Sequence, residues 1–351
     1  MIARVTASAT EFLYLDQEDV VAAGGTDMPA MVEVLERAFR IKAAGQVRMP
    51  PKVMITWSDE PATEEVHGRI MAMPGYVGGE VDVAGLKWIP SVPGNPSRGL
   101  PRANALVLLS ERATGLPLAV MDGTVVSAMR TGAVTGVAVR HLAVPGAAVA
   151  CLLGAGVLAH TQLAALRSEL PALRQVRVYD PLEDRCRRFC ERQAADGLEL
   201  RPAATPEQAV RGAQVVVPAT MAVEPTFQPG WLEPGATVVL VSSLDGPLEL
   251  HAACDLLVVD DWVHESTHAG RYAQRLVEAG IVGADGSDAV ELADVVTGRH
   301  PGRRADGERI VVSPVGLAMD DLAAAAHVLE GARVRGLGTA LRLRSGPPVW
   351  E

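Results

Sequence analysis

Three observations predict an α/β chain, with a doubly wound parallel sheet in one part and an α+β arrangement in the other. An apolar run breaks into a glycine turn at Gly154-Ala-Gly156 and resumes with helical spacing. From Val149 to about residue 312, short β-branched runs alternate with helical patterns. Ahead of it, strand-like runs separated by Gly and Pro crowd together around a single helix. Strand–helix alternation demands long crossovers and hence parallel pairing, whereas closely spaced strands pair antiparallel.

Taken in order, Phe12-Leu-Tyr-Leu15 reads as a strand, and Met31, Val32, Val34, Leu35, Ala38 and Phe39 line one face of a helix. The runs Val53–Trp57, Arg69–Met73, Val81–Trp88, Ala105–Leu109 and Pro117–Met121 predict an antiparallel sheet. Thr124–Leu142 turns helical and leads into the strand at Val149. Further strands are expected at Val176–Asp180, Val215–Val217, Thr237–Val241, Leu256–Val259 and Ile310–Ser313, with a helix over Leu163–Leu170. Ala318–Arg335 is helical and, following the second part, is expected to pack back on the first. With 351 residues and 48% hydrophobic content, the chain supports two domains, 1–127 with 315–351 and 128–314.

The glycine turn fits a Rossmann-type dinucleotide cradle. Gly154 allows the tight turn, Gly156 lets the backbone approach a pyrophosphate, and Ala159 permits close packing of helix on strand. The anion would rest on the helix N-terminus at Val157 and Leu158. Asp180 ends the next strand, 24 residues beyond Gly156, near the spacing of a carboxylate that accepts ribose hydroxyls. An acid there repels a 2′-phosphate and favours NAD, although Arg185, Arg187 or Arg188 could admit one. The plain alternative is a strand-end Asp capping the following helix.

Composition narrows the function. Thirty-two Lys and Arg against 42 Asp and Glu give a net charge of −10 with no basic block, which argues against nucleic acid and anionic membranes. No run approaches the ~18 apolar residues of a spanning helix. Met1 to Thr6 shows no secretory signal, and the four cysteines (Cys151, Cys186, Cys190, Cys254) are scattered, so a reduced cytoplasmic setting is expected. Nothing has metal-ligand spacing, and no metal is expected. His141 and His160 read as packed or exposed residues rather than ligands, and Trp57, Trp88, Trp231 and Trp262 share no period that would make an aromatic platform.

Four constellations carry candidate chemistry. Lys87 stands in an apolar strand, either at a solvent edge or as a cation for a substrate carboxylate or a polarised carbonyl. Arg130, before Thr131-Gly-Ala133, bridges elements or clamps an anion. Ser242-Ser243-Leu-Asp245 follows a parallel strand, where open α/β sheets collect ligands, so Asp245 is placed as a general acid or base or as a turn residue. Gly316-Leu-Ala-Met-Asp320-Asp321 opens a helix at another strand end, where capping and nucleotide contact are both open.

Together, Lys87, Arg130-Thr131-Gly132-Ala133 leading to His141-Leu-Ala, Gly154-Ala-Gly156, Asp180, Asp245 and Gly316–Asp321 resemble the ornithine cyclodeaminase/mu-crystallin family over nearly the whole chain. Gly85-Leu-Lys-Trp-Ile-Pro-Ser-Val-Pro-Gly-Asn95, Val258-Val-Asp260-Asp261-Trp262 and Val296–Gly302 look most like the branch of N-(2-amino-2-carboxyethyl)-L-glutamate dehydrogenases, which serve siderophore and peptide antibiotic pathways. The resemblance implies a homodimer, with 1–127 and 315–351 as the substrate-binding and dimerisation domain and 128–314 as the NAD-binding domain. It implies hydride transfer from an amino acid α-carbon to NAD+, with Lys87, Arg130 and Lys52 binding substrate and Asp245, with Lys87, serving catalysis. Arg130, Thr131, Gly154, Gly156, Val157, Leu158, Asp180, Thr220, Ser242, Ser243 and Gly316 would bind the cofactor. In the diaminopropionate branch the imine hydrolyses to 2-oxoglutarate and 2,3-diaminopropionate. Met71 stands where ornithine cyclodeaminases carry a Glu, which disfavours a free diamine. A cyclodeaminase, an imine or ketimine reductase, and a nucleotide-dependent binding protein are the alternatives.

Overall fold

The computed structural model describes residues 10–58 and 67–346, in two compact units. The N-terminal hexapeptide read above and the last five residues lie outside the described residues. One unit comprises residues up to Asp27, Ala44–Arg130 and Leu317 onward; the other comprises Met28–Ala43 and Thr131–Gly316.

Among the described residues of the first unit, eight strands form one sheet. In chain order these are β1 (Thr10–Leu15), β2 (Val47–Arg48), β3 (Val53–Trp57), β4 (Gly68–Val77), β5 (Val83–Ser91), β6 (Leu106–Glu111), β7 (Pro117–Asp122) and a last strand, Thr339–Arg344. Their order is Thr339–Arg344, β1, β7, β6, β5, β4, β2, with β3 also on β4. The expected antiparallel pattern holds from β7 to β2, but β1 runs parallel to β7 and antiparallel to the last strand. The helix Ala318–Arg335 packs on β4, β5 and β6, as its position after the second part suggested. Its approach is close because Gly75 and Gly85 are partners in register. A Cβ on Gly85 would lie 2.4 Å from the Leu108 carbonyl oxygen and 2.7 Å from a Leu322 methyl.

The second unit holds eight described strands: β8 (Val149–Leu153), β9 (Gln175–Tyr179), β10 (Glu199–Pro202), β11 (Val215–Pro218), β12 (Thr237–Val239), β13 (Leu256–Val259), β14 (Val290–Glu291) and β15 (Ile310–Ser313). All pair in parallel, in the order β10-β9-β8-β11-β12-β15-β13-β14. This is a Rossmann-type doubly wound sheet. The chain winds outward in one direction from β8 and in the other from β11, so the strands diverge there and open a crevice at their carboxyl ends. Its central strands are apolar runs buried on both faces, as a covered parallel sheet requires. β12 ends at Val239, two residues earlier than expected, because the chain turns into a short helical turn over Ser243–Asp245.

Met28–Ala43 belongs to this unit through charge as well as packing. Lys42 reaches Asp261 at 3.1 Å and Glu291 at 2.5 Å, and Arg140 reaches Glu33, Glu36 and Glu169 at 2.7, 2.5 and 2.7 Å. Among the described residues, no helix is long and apolar enough to cross a membrane.

Candidate active site

In the nucleotide unit, β8 runs into Gly154, whose φ of +97° only glycine adopts without strain. A Cβ there would also meet the Ala219 carbonyl oxygen at 2.9 Å. Gly156 begins the helix Val157–Glu169 without a side-chain cap, and a Cβ on it would meet open space. Exposed Val157 and half-buried Leu158 follow. An uncapped N-terminus beside open space suits a pyrophosphate, so the cradle fits a dinucleotide.

Asp180 directly follows β9. One of its oxygens accepts the Ala155 N–H and the other the Leu182 N–H, both at 2.9 Å, while Arg185 stands 3.6 Å away. The bond to Leu182 spans two residues and closes a turn ahead of the helix Glu183–Arg192, whose N-cap, Leu182, has no side-chain cap. A carboxylate has about four lone-pair positions, which leaves capacity for ribose hydroxyls.

At the carboxyl ends of β11 and β12, Thr220 donates its hydroxyl to Asp245 at 2.6 Å and its backbone N–H at 3.2 Å. Asp245 is fully enclosed; burial raises its pKa above the usual carboxylate value, while the bonds from Thr220 and Ser242 pull it back. The turn is clamped from outside by Arg275, which donates to the carbonyls of Ser243 and Gly246 at 3.1 and 3.0 Å, and by Arg271, which donates to the Ser243 hydroxyl. Gly316, at φ +72°, is set by Asp260, whose oxygens accept the Val315 and Gly316 N–H groups at 3.0 and 2.7 Å. Glu265 is enclosed beside the Ser313 hydroxyl, and burial pushes its pKa up to about 7. Arg271, Arg275, Asp260 and Glu265 were assigned no role from sequence, since each acts through folded loop geometry rather than a motif.

In the first unit, Lys87 does not sit at a solvent edge. It lies on the inner sheet face in a register row with Met73, Val107, Met121 and Leu15, all buried. The lysine is only 2% exposed, and burial together with the nearby Arg130 charge lowers its pKa to about 8 against the pull of Asp321. Its ammonium contacts Asp321 Oδ2 at 2.6 Å and donates to Ser127 Oγ at 3.2 Å. Arg130 Nε meets the other oxygen of Asp321 at 3.0 Å, and its Nη1 lies 3.7 Å from Asp320. Asp320 also accepts the Leu317 N–H at 2.8 Å, so it caps its helix while Asp321 bridges the two cations. The structure thus joins Lys87 and Arg130, whereas Lys52, just before β3, is placed only as a half-buried residue and Thr131 as a half-buried residue of the helix Gly123–Leu142. On the Lys87 face of β4 stand Met71 and, further along, Arg69. Partial desolvation and the nearby Arg102 charge lower the pKa of Arg69.

A glycine cradle at the switch point of a parallel sheet, with a buried acid at a neighbouring strand end, defines a dinucleotide-dependent enzyme. The chain is 33% identical to the N-((2S)-2-amino-2-carboxyethyl)-L-glutamate dehydrogenase of Staphylococcus aureus (strain NCTC 8325 / PS 47), over 95% of this chain and 99% of that one. Its fold is similar to that of the Thermococcus litoralis Δ1-pyrroline-2-carboxylate reductase solved with NADH and L-proline (TM-score 0.84, 30% identity, 93% of this chain and 99% of that one). An archaeal alanine dehydrogenase, solved as a dimer with NAD, gives a TM-score of 0.84 at 31% identity, over 95% of this chain and 100% of that one. Residues 15–335 match the model of the ornithine cyclodeaminase/mu-crystallin family, and the chain belongs to that family. It is an NAD-dependent amino acid oxidoreductase.

Proposed function

We propose that this chain oxidises N-(2-amino-2-carboxyethyl)-L-glutamate at the glutamyl α-carbon and hydrolyses the resulting imine. One substrate, one NAD+ and one water become 2,3-diaminopropionate, 2-oxoglutarate, NADH and a proton. The observation that carries this reading is the enclosed Lys87 and the half-buried Arg130, bridged by Asp321, beside a sheet face where residue 71 is Met rather than an acid. Such a face suits a substrate rich in carboxylates and offers no partner from residue 71 to a free diamine. Arg69 on the same face supplies a further cation for a second carboxylate. The full-length likeness to an enzyme named for this substrate supports the same choice.

Gly154, Gly156, Val157, Leu158, Asp180, Thr220, Ser242, Ser243 and Gly316 would hold NAD, with Arg130 and Thr131 as further contacts. Bound NAD+ supplies the two-electron acceptor for hydride. Lys87 and Arg130 hold the substrate carboxylate, with Lys52 as an auxiliary cation. Asp245 takes the proton from the substrate nitrogen, leaving its lone pair to assist hydride departure, releases that proton to solvent, and as the carboxylate again activates water for imine hydrolysis. We further propose a homodimer. Val53, Trp88 and Leu106 lie in one register row on the outer face of the first unit's sheet, and Leu108 adjoins them. These four are exposed apolar side chains, a patch of the kind that marks association.

The test is NADH absorbance on mixing the protein with NAD+ and N-(2-amino-2-carboxyethyl)-L-glutamate, with L-ornithine and L-lysine in parallel and products identified by mass spectrometry. NADH with both named products from the first substrate alone is expected. Proline or pipecolate without net NADH would replace this reading with a cyclodeaminase. In a further arm that supplies NADH and a cyclic imine, consumption of NADH there with none formed in the other arms would replace it with a reductase.

A further inference from the structure

We propose that Asp321 is the positioning residue of the Lys87–Arg130 pair: one carboxylate, with an oxygen on each cation, sets their spacing and keeps the proton on Lys87. The inference rests on reading those cations as the substrate carboxylate anchor, and extends it to a residue that touches neither substrate nor cofactor.

The neighbours of Lys87 are few. β4 and β6 place Met73 and Val107 beside it in register, and both are apolar. The helix Gly123–Leu142 brings Ser127 and Arg130, and the helix Ala318–Arg335 brings Asp320 and Asp321. Two cations side by side repel, and an apolar wall disfavours charge, so both influences push Lys87 toward the neutral amine. A neutral amine is a poor anchor for an anion. Asp321 is the counterweight, with Oδ2 on Lys87 at 2.6 Å and Oδ1 on Arg130 at 3.0 Å. Asp320 is a weak substitute: it is committed to the Leu317 N–H and stands 3.7 Å from Arg130. The Lys87 ammonium donates to Ser127 and is paired in charge with Asp321. Lys87 titrating at about 8 agrees with this balance of opposed charges.

The chain contains only three lysines, Lys42, Lys52 and Lys87, so protein grown with 13Cε-lysine yields three signals to follow by NMR. Loss of one signal in Lys87→Met identifies it. In Asp321→Asn the Lys87 midpoint should fall by about one pH unit or more, and the alkaline limb of kcat/KM should move acidward with it. Asp321→Glu should keep the midpoint yet lower kcat/KM about tenfold or more, because the added methylene alters the spacing. An unmoved Lys87 midpoint in Asp321→Asn, or wild-type kcat/KM in Asp321→Glu, overturns the proposal. A shifted midpoint with an unmoved alkaline limb upholds Asp321's hold on the proton and overturns the anchor reading of Lys87. If Asp321→Asn does not fold, Asp321→Glu still tests the spacing: a lowered kcat/KM with an unmoved Lys87 midpoint upholds it, and wild-type kcat/KM overturns the proposal.

Discussion

Asp245 and Lys87 are both enclosed, and burial moves them in opposite directions: the acid's pKa rises and the base's falls. Asp245 therefore keeps its proton to a higher pH than an exposed aspartate, and a mechanism that uses its carboxylate slows as pH falls through that raised value. Asp245→Asn should lower turnover by about 100-fold or more and abolish this acid limb while leaving NAD+ affinity near wild type. Steady-state rates from pH 5 to 9 with a parallel NAD+ titration check this; near-normal turnover removes Asp245 from the chemistry. The position of Asp245 was legible in the sequence because an acid after a parallel strand points at the ligand crevice. The inward aim of Lys87 was not, since strand parity decides which face a side chain takes and Gly85, Pro90 and the flanking apolar residues leave no clean alternation. Nor was the division of labour between Asp320 and Asp321: adjacent acids at a helix start look alike until the helix is placed on the sheet.

At the scale of elements, the helix Ala318–Arg335 carries Asp321 to the sheet, and the glycine partners Gly75 and Gly85 let it come close. Gly85→Ala pushes a Cβ against backbone at 2.4 Å and should cost about 1–3 kcal/mol of stability, read as a lower thermal midpoint. An unchanged midpoint would show that the sheet yields there freely. The bounds of this helix agree with the sequence pattern, because its buried residues recur along a long segment with a glycine at its end. Thr339–Arg344 was missed because its residues are nearly all exposed and Arg alternates with Leu, so no buried face betrays it. β10 and β14 escaped for a related reason: both are short edge strands placed by a neighbour rather than by their own apolar content.

At the scale of the whole molecule, each unit has its own sheet, and the order of the strands in space differs from their order in the chain. The outer face of the first unit exposes Leu106 by 47% and Val53 by 59%, more apolar surface than scattered single residues would leave. Leu108→Glu places a charge on that face and should convert a dimer to a monomer in light scattering after size exclusion, with NAD+ binding intact. A wild-type monomer, or a charged variant that stays dimeric, would sink the assignment of this face. Met28–Ala43 shows how far chain order misleads: it precedes most strands of the first unit but packs within the second, where Lys42 finds Asp261 and Glu291.

The sequence by itself determined the class. Periodicity and glycine placement are local properties, so they carry the parallel sheet, the dinucleotide turn and the acids at strand ends. Tertiary structure decided which charges meet. Lys87, Arg130 and Asp321 are separated by tens to hundreds of residues, and their ion pairs follow from register across β4, β5 and β6 and from a helix returning at the far end of the chain. Such pairings depend on distances in space that no local pattern encodes.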